Sequence, residues 1–398
     1  MGRQNLKTDI AIIGGGIAGL WALNQLRNAG YSAILFEQDT LGSCQTIASQ
    51  GMIHGGIKYA LGGALSGGSE AISVMPDIWR RCLKGGGKVD LRGSRVLSEE
   101  FYLWSSAGLQ SRLTSFLASK MLRGRVAKVA TDDYPAPFRN AQFRGKVYRL
   151  ADLVIDVHSL VETLTNAHRE AIFRIDWDTA RLVHEGGLAR LELPDLSLHP
   201  RRLLLAAGIG NEALISQLGG CKPAMQRRPL QQVLVKHQYR EALYAHCMGG
   251  NPSPRLTISS HRTLLDEPVW SLGGDLATEG MNDPPQVLIA KAQTELRELF
   301  PWIDFGNCQW YTMKIDRGEP LQSSRLKPDQ AYVGKVDEID NVLVAWPTKL
   351  TLSPNLADNL EQNLVRDGIA PLHKPDLSLL AFMGQPDITP NHWDTVFT

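Results

Sequence analysis

Residues Thr8–Glu37 read TDIAIIGGGIAGLWALNQLRNAGYSAILFE, and this stretch decides the fold. Thr8–Ile13 is a short apolar, β-branched run that stops at glycines, as a buried strand does. From Ile17 to Ala29 the leucines at 20, 23 and 26 fall at helical spacing, and Gly30 ends the helix. A second run, Ser32–Phe36, closes on the acid Glu37, so strand, turn, helix and strand follow one another as in a dinucleotide-binding unit. The glycines of Gly14-x-Gly16-x-x-Gly19 have separate tasks. Gly14 permits the tight turn, Gly16 lets backbone approach a pyrophosphate, and Gly19 lets helix pack on strand, while the N–H groups of Ile17 and Ala18 begin a helix whose positive end faces the phosphates. Glu37 stands where the ribose hydroxyls of the adenosine would donate to it.

The composition narrows the class around this unit. With 398 residues the chain has room for two or three domains, and 42 Lys plus Arg against 41 Asp plus Glu leave a net charge of +1. That balance argues against nucleic acid as a partner. Cys44, Cys82, Cys221, Cys247 and Cys308 are scattered and odd in number, which is neither a disulfide framework nor a zinc ribbon and fits a reducing compartment. No apolar run approaches the ~20 residues of a membrane span, and glycines break the first apolar stretch where a signal peptide would be continuous. The expected location is the cytoplasm, with peripheral membrane contact left open.

Thr8–Glu37 resembles the opening of the D-amino-acid-oxidase-like (DAO) family of FAD-dependent oxidoreductases. Ser49–Tyr59 (SQGMIHGGIKY) extends the likeness, and is similar to the same region of the FAD-dependent glycerol-3-phosphate and L-2-hydroxyglutarate dehydrogenases. Leu150–Leu164, Arg202–Gly219 and Asp316–Leu360 carry it further. The resemblance implies an α/β fold in which a Rossmann-like FAD-binding domain (residues 1–84, 150–221 and 308–370) is interleaved with a β-sheet-based α+β substrate domain (85–149 and 222–307), before a tail at 371–398. It implies FAD as cofactor, held by the glycine turn, Gln50, Gly51, Ala207 and Gly208.

Between the motifs the pattern is plainer. Glu70–Leu83 reads as a helix interrupted by proline, Leu97–Leu117 as a helix, and Tyr134–Pro137 as a turn marking a lid or domain crossing. Asp156–Ser159 caps a helix running to Ala171, and Arg202–Ala206 is a continuous apolar run suited to a buried parallel strand. Gln232–Val235, Leu256–Ser259 and Val269–Leu272 are strand-like, and Pro285–Leu299 is a long helix. Gln309–Ile315 and Val342–Trp346 are expected to return the chain to the nucleotide domain. Trp393 and Phe397 pin the tail to the body or offer a docking strip, the first being favoured. The sequence has no second GxGxxG unit and no Cys-x4-Cys pair, so electrons are expected from a small oxidisable substrate and leave to oxygen, a quinone or a carrier protein.

Oxidation of an alcohol or amine at a flavin needs a substrate C–H against the ring, a group to take the O–H or N–H proton, and positive potential for the reduced ring. Trp346–Leu356 (WPTKLTLSPNL) resembles the Gly-Gly-Lys-Leu-Thr-Thr pattern of glycerol-3-phosphate dehydrogenases through Lys349-Leu350-Thr351. The resemblance puts Lys349 beside substrate and flavin, with Thr348, Leu350 and Thr351 at the cofactor; Pro347 and Thr348 replace the two glycines. Ser353 and Pro354 would open the following helix, to about Arg366. His54 is a candidate base, substrate orienter or covalent flavin tether. Lys58 and Tyr59 match an Arg-Tyr pair, and Lys lacks the guanidinium fork for phosphate. Asp316–Pro320 resembles a Gly-x-Arg-Pro signature whose arginine pairs with a substrate anion, which nominates Arg317, with Arg325 as a second anchor, although here arginine precedes glycine. Where glycerol-3-phosphate enzymes have a histidine base this chain has Gln231 or Gln232, with His237, His246 and His261 as alternatives, and Cys308 stands where some relatives attach flavin. No metal is expected. The expected substrate is a small anion, a 2-hydroxy acid or polyol phosphate; the alternatives are an amino-acid or N-methylamino-acid oxidase, and a subunit whose FAD is structural.

Overall fold

The computed structural model describes residues 4–56, 68–105, 126–251, 253–321 and 330–397. The first strand, Gln4–Ile13, lies in the middle of a sheet and is buried on both faces. Ile10 and Ile12 join one apolar cluster and Ala11 and Ile13 the other, which is why the run is continuous rather than alternating. Five parallel strands form its centre in the order Ile172–Arg174, Ala33–Glu37, Gln4–Ile13, Leu196–Leu205, Val342–Trp346. The chain adds strands on one side of the first, then crosses to the other. The reversal falls where Ile13 pairs with Leu205, the point at which ligands bind in sheets of this kind. Helices Ile17–Asn28 and Ser353–Arg366 cover one face, meeting through Leu20, Leu23, Leu356 and Leu360.

A second sheet runs Gln309–Ile315, Leu230–Lys236, Pro268–Gly273, Pro254–Arg262, Ala245–Met248, Phe101–Ser105, Lys146–Leu150, Val126–Lys128. Helix Pro285–Leu299 lays Leu288, Ala292 and Leu296, one apolar stripe, onto Val233, Val235 and Trp270. The tail ties the two sheets together. Leu380 packs under the first, whereas Trp393 and Phe397 pack on Leu234 and Val269 of the second. Buried Asp9 accepts the backbone N–H groups of Leu372 and His373, fastening the start of the tail to the first strand.

Several local expectations are corrected. In Leu97–Leu117 the described part holds strands Val96–Ser98 and Phe101–Ser105; Phe101 and Leu103 are buried in one cluster and Trp104 in another, so the alternation of a strand is hidden. Gln309–Ile315 pairs along its whole length with Leu230–Lys236, so it stays in the second sheet, and the chain rejoins the first only at Tyr332–Lys335. The Tyr134–Pro137 turn is no lid: Tyr134 and Phe138 are buried against Phe143, Trp104 and Phe300. Asp156 does cap its helix, accepting from Ser159 N at 2.7 Å, but that helix spans Val157–Ala167.

Candidate active site

At the strand-order reversal two turns meet. Gly14 has φ +113°, and a Cβ there would lie 2.6 Å from the carbonyl oxygen of Ala206; a Cβ on Gly19 would overlap the carbonyl of Gly14. Both positions exclude side chains because backbone, which cannot swing aside, occupies the space. Gly15 N donates to Glu37 Oε2 at 2.6 Å, and Ile17 N to Thr46 Oγ1 at 3.1 Å. The facing turn is held as firmly: Ala207 N donates to Asn211 Oδ1 at 2.8 Å, and Trp346 Nε1 to the carbonyl of Gly208 at 2.9 Å. Gly14, Gly16, Ile17, Ala18, Glu37, Ala207 and Gly208 line one cavity of about 1930 Å³, while Gly19 and Gly51 stand behind its wall.

The same cavity collects residues from distant parts of the chain. Gln50 lines it and donates from Nε2 to the Ser271 carbonyl at 2.8 Å, reaching the second sheet. His54 is buried in its wall, and its N–H donates to Thr351 Oγ1 at 3.0 Å across 297 residues. That hydroxyl donates in turn to the Met52 carbonyl at 3.2 Å, and Trp79 Nε1 holds the Thr351 carbonyl at 3.0 Å. Thr351 thus clasps the His54 segment to the loop of Thr348, Lys349 and Leu350, all of which line the cavity. Thr348 has φ +63°, the left-handed conformation that glycine enters freely. The loop therefore keeps the course expected of a glycine there, at a strain of about 1–2 kcal/mol. Ser353 does not cap the next helix: it is the first helical residue, and its Oγ donates to the Leu350 carbonyl at 2.8 Å.

Strand Gly318–Pro320 pairs antiparallel with Met225–Arg227, and Arg228, Arg317 and Glu319 line the cavity. Arg317 Nε donates to the Arg228 carbonyl at 2.9 Å, and Arg228 pairs with Glu319 at 3.0 Å. Along the neighbouring strand Gln232 faces the cavity and the fully buried Gln231 the helix-covered side, as strand alternation requires. The alternative histidines lie elsewhere. His237 packs against Trp270 and His261 stacks on Trp393, and burial pushes each down to about 4; His246 meets Thr257 Oγ1 at 2.8 Å behind the wall. Cys308 packs at the edge of the second core, its thiol pushed up to about 11 by burial. Lys58, Tyr59 and Arg325 lie outside the described residues.

Thr46, Arg228 and Glu319 were not legible as site residues, because each acts through a partner distant in sequence; Asn211 holds the nearby Ala207 turn, but nothing in the local pattern marked it. Trp177, just past the third parallel strand, lines the cavity with Ile175 and had a weak signal in its place after a strand end. The cavity suits an extended dinucleotide. The helix of Ile17–Asn28 has no acid in its first turn, and Thr46 Oγ1 takes the Ile17 N–H at its start, so its positive end is turned toward a diphosphate. Ile175 and Trp177 offer apolar surface to a base, and Gly14 and Gly16 line the cavity without side chains. Among the described residues no three His, Cys, Asp or Glu side chains are grouped to hold a metal.

Comparison with known proteins agrees with this geometry. Residues 9–307 match the DAO family, described as FAD dependent oxidoreductase. The chain is 46% identical over 396 residues, 99% of each sequence, to the "Probable FAD-dependent oxidoreductase PA4991" of Pseudomonas aeruginosa. The crystal structure of the Pseudomonas aeruginosa protein superposes with a TM-score of 0.86 at 40% identity, covering 99% of both chains. At 14% identity, glycine oxidase of Geobacillus kaustophilus (TM-score 0.67, covering 94% of this chain and 98% of its own) and L-α-glycerophosphate oxidase of Mycoplasma pneumoniae with FAD bound (0.64, 96% and 99%) share the fold. A match over most of the sequence, joined to a cavity shaped for a dinucleotide, places the chain in the DAO family as an FAD-dependent oxidoreductase.

Proposed function

We propose that the enzyme oxidises a C–OH or C–NH centre next to an anionic group on a small substrate: a 2-hydroxy acid or polyol phosphate, or, at a C–NH centre, an amino acid or N-methylamino acid. The observation that carries this reading is the convergence of His54, Lys349 and Arg317 on the cavity that also contains the glycine turn. Bound FAD supplies the acceptor for the hydride. Arg317 anchors the substrate anion. Lys349 adds positive potential to the cavity from a loop that Thr351 clasps to the His54 segment. His54 takes the O–H or N–H proton, since its ring can accept one and its burial in the cavity wall keeps competing water away. Gln232, which has no proton to exchange near neutral pH, orients substrate instead of serving as base.

The test is anaerobic mixing of the holoenzyme with panels of hydroxy acids, polyol phosphates and amino acids, followed by flavin absorbance. Bleaching by one class supports the reading, and oxygen, quinone or carrier-protein acceptors are then compared by reoxidation rate. Photoreducible flavin that no small molecule bleaches supports the other reading, a subunit whose FAD is structural.

A further inference from the structure

The outermost strand of the second sheet is paired on one side only. Gln309–Ile315 joins Leu230–Lys236 in an unbroken register and, among the described residues, meets no other strand. The bonds around it fix which of its backbone groups point outward. His237 N donates to the Pro268 carbonyl at 3.1 Å, so the odd-numbered residues of Leu230–Lys236 turn toward strand Pro268–Gly273. The even-numbered ones turn toward Gln309–Ile315, and Arg228 N, which donates to the Arg317 carbonyl at 2.9 Å in the same register, agrees. Gln309, Tyr311, Met313 and Ile315 stand opposite those even-numbered residues and carry the bonds within the sheet. The N–H and C=O groups of Trp310, Thr312 and Lys314 therefore point away from it, and among the described residues none bonds to them.

Natural sheets blunt such an edge with proline, a bulge, a covering segment or several charges. This strand has no proline and no bulge, carries lysine as its one charge, and leaves Tyr311 43% exposed. Its order of residues is self-complementary instead. Set antiparallel to a second copy about a two-fold axis at Thr312, Trp310 stands opposite Lys314, Tyr311 opposite Met313, and Thr312 opposite itself. Trp310, Thr312 and Lys314 then each exchange both backbone groups; with the axis at Tyr311 or Met313, one of them has no strand residue opposite. The side chains agree. Trp310 packs on the helix-covered core, a face that alternation gives to Lys314 as well, while Tyr311 stands beside Leu234 on the other face with Met313. Each pair thus meets on one side of the joined sheet: a cation with an indole, a thioether with a phenol ring, and two threonine hydroxyls. The lysines do not stand opposite one another, and a net charge of +1 sets little repulsion between copies.

We propose that Gln309–Ile315 is a self-recognition surface through which two copies of this chain join their second sheets edge to edge, in register about Thr312. One strand pair is a small contact beside the roughly 1,200–2,000 Å² of a stable interface, so the association is reversible and in the micromolar range.

The experiment is sedimentation velocity of the holoenzyme from about 1 to 200 μM, which brackets that range. Wild type is expected to pass from monomer to dimer across it. Thr312→Lys and Thr312→Glu each set like charges face to face at the axis, and each should weaken association at least about tenfold with the flavin spectrum unchanged. An equimolar mixture of the two variants sets opposite charges face to face and should regain the dimer. Pairing with a strand of another protein, or contact through another surface, has no such rescue. Should a charged variant lose its flavin, Thr312→Pro replaces it: it removes an outward N–H that the sheet itself does not use, and should weaken association by as much. Wild type that stays monomeric throughout, a dimer that the variants leave unchanged, or weakening without rescue in the mixture would overturn the assignment.

Discussion

Replacing Thr351 by valine preserves shape and removes one hydroxyl, which makes it a direct measure of the clasp between the His54 segment and the Lys349 loop. The side chain is 1% exposed, so water cannot take the hydroxyl's place. Valine strips the acceptor from the His54 amide, now 3.0 Å away, and a donor from the Met52 carbonyl at 3.2 Å. A buried N–H deprived of its partner costs about 1–3 kcal/mol, and a carbonyl, with a second lone pair, somewhat less, so Thr351→Val should destabilise by about 2–4 kcal/mol. Thr351→Ser keeps the hydroxyl and deletes one methyl, for about 1 kcal/mol. Urea unfolding of the two variants therefore separates hydrogen bonding from packing. Since both clasped segments line the cavity, T351V should also retain less FAD through gel filtration than T351S. Stability of T351V within about 0.5 kcal/mol of wild type, or equal damage from serine, would refute the reasoning.

Three further outcomes follow from the same geometry. Gly14→Ala needs a side chain at φ +113° with its Cβ 2.6 Å from the Ala206 carbonyl; strain of about 1–3 kcal/mol and displaced backbone should yield colourless protein with FAD uptake weakened at least about 100-fold, measured by fluorescence titration. Burial alone would raise the Asp9 carboxyl, but hydrogen bonds from Ser32, Leu372 and His373 outweigh it and hold the group below its ordinary range. The stabilisation is complete above about pH 4 and lost as pH falls through the lowered folded value; Asp9→Asn should cost about 2–3 kcal/mol at pH 7 and speed proteolytic nicking between Leu372 and Trp393. Burial holds His237 and His261 near 4, so between about pH 6.5 and 4 the unfolded chain binds protons that the folded one refuses. Stability is full above that window and falls by up to about 1.4 kcal/mol per pH unit for each histidine as pH drops; an unchanged slope in His237→Phe between pH 7.5 and 5.5 would count against this.

The Thr8–Glu37 unit was legible because everything that makes it, strand, glycine sterics, helix start and terminal acid, acts within a few turns of chain. The helices Pro285–Leu299 and Ser353–Arg366 were legible for the same reason, each carrying an apolar stripe with a proline at its start. Local pattern failed at Phe101–Ser105, where burial on both faces erases alternation, and it named Gln309–Ile315 a strand without knowing its neighbour. The site depended still more on tertiary contacts. Thr348 stands where the resemblance has glycine, and only the structure shows that its backbone takes the left-handed conformation all the same. A Gly-x-Arg-Pro likeness pointed to Arg317, but only the pairing of Met225–Arg227 with Gly318–Pro320 brings Arg228 to Glu319 and turns that wall into a mixed-charge surface. The sequence by itself determined the strand, glycine turn and helix of a dinucleotide-binding unit at Thr8–Glu37, since hydrogen bonding and sterics over thirty residues suffice for that. Which charges face one another across the cavity was decided only by the tertiary structure, because strand register and core packing choose partners that the order of residues leaves free.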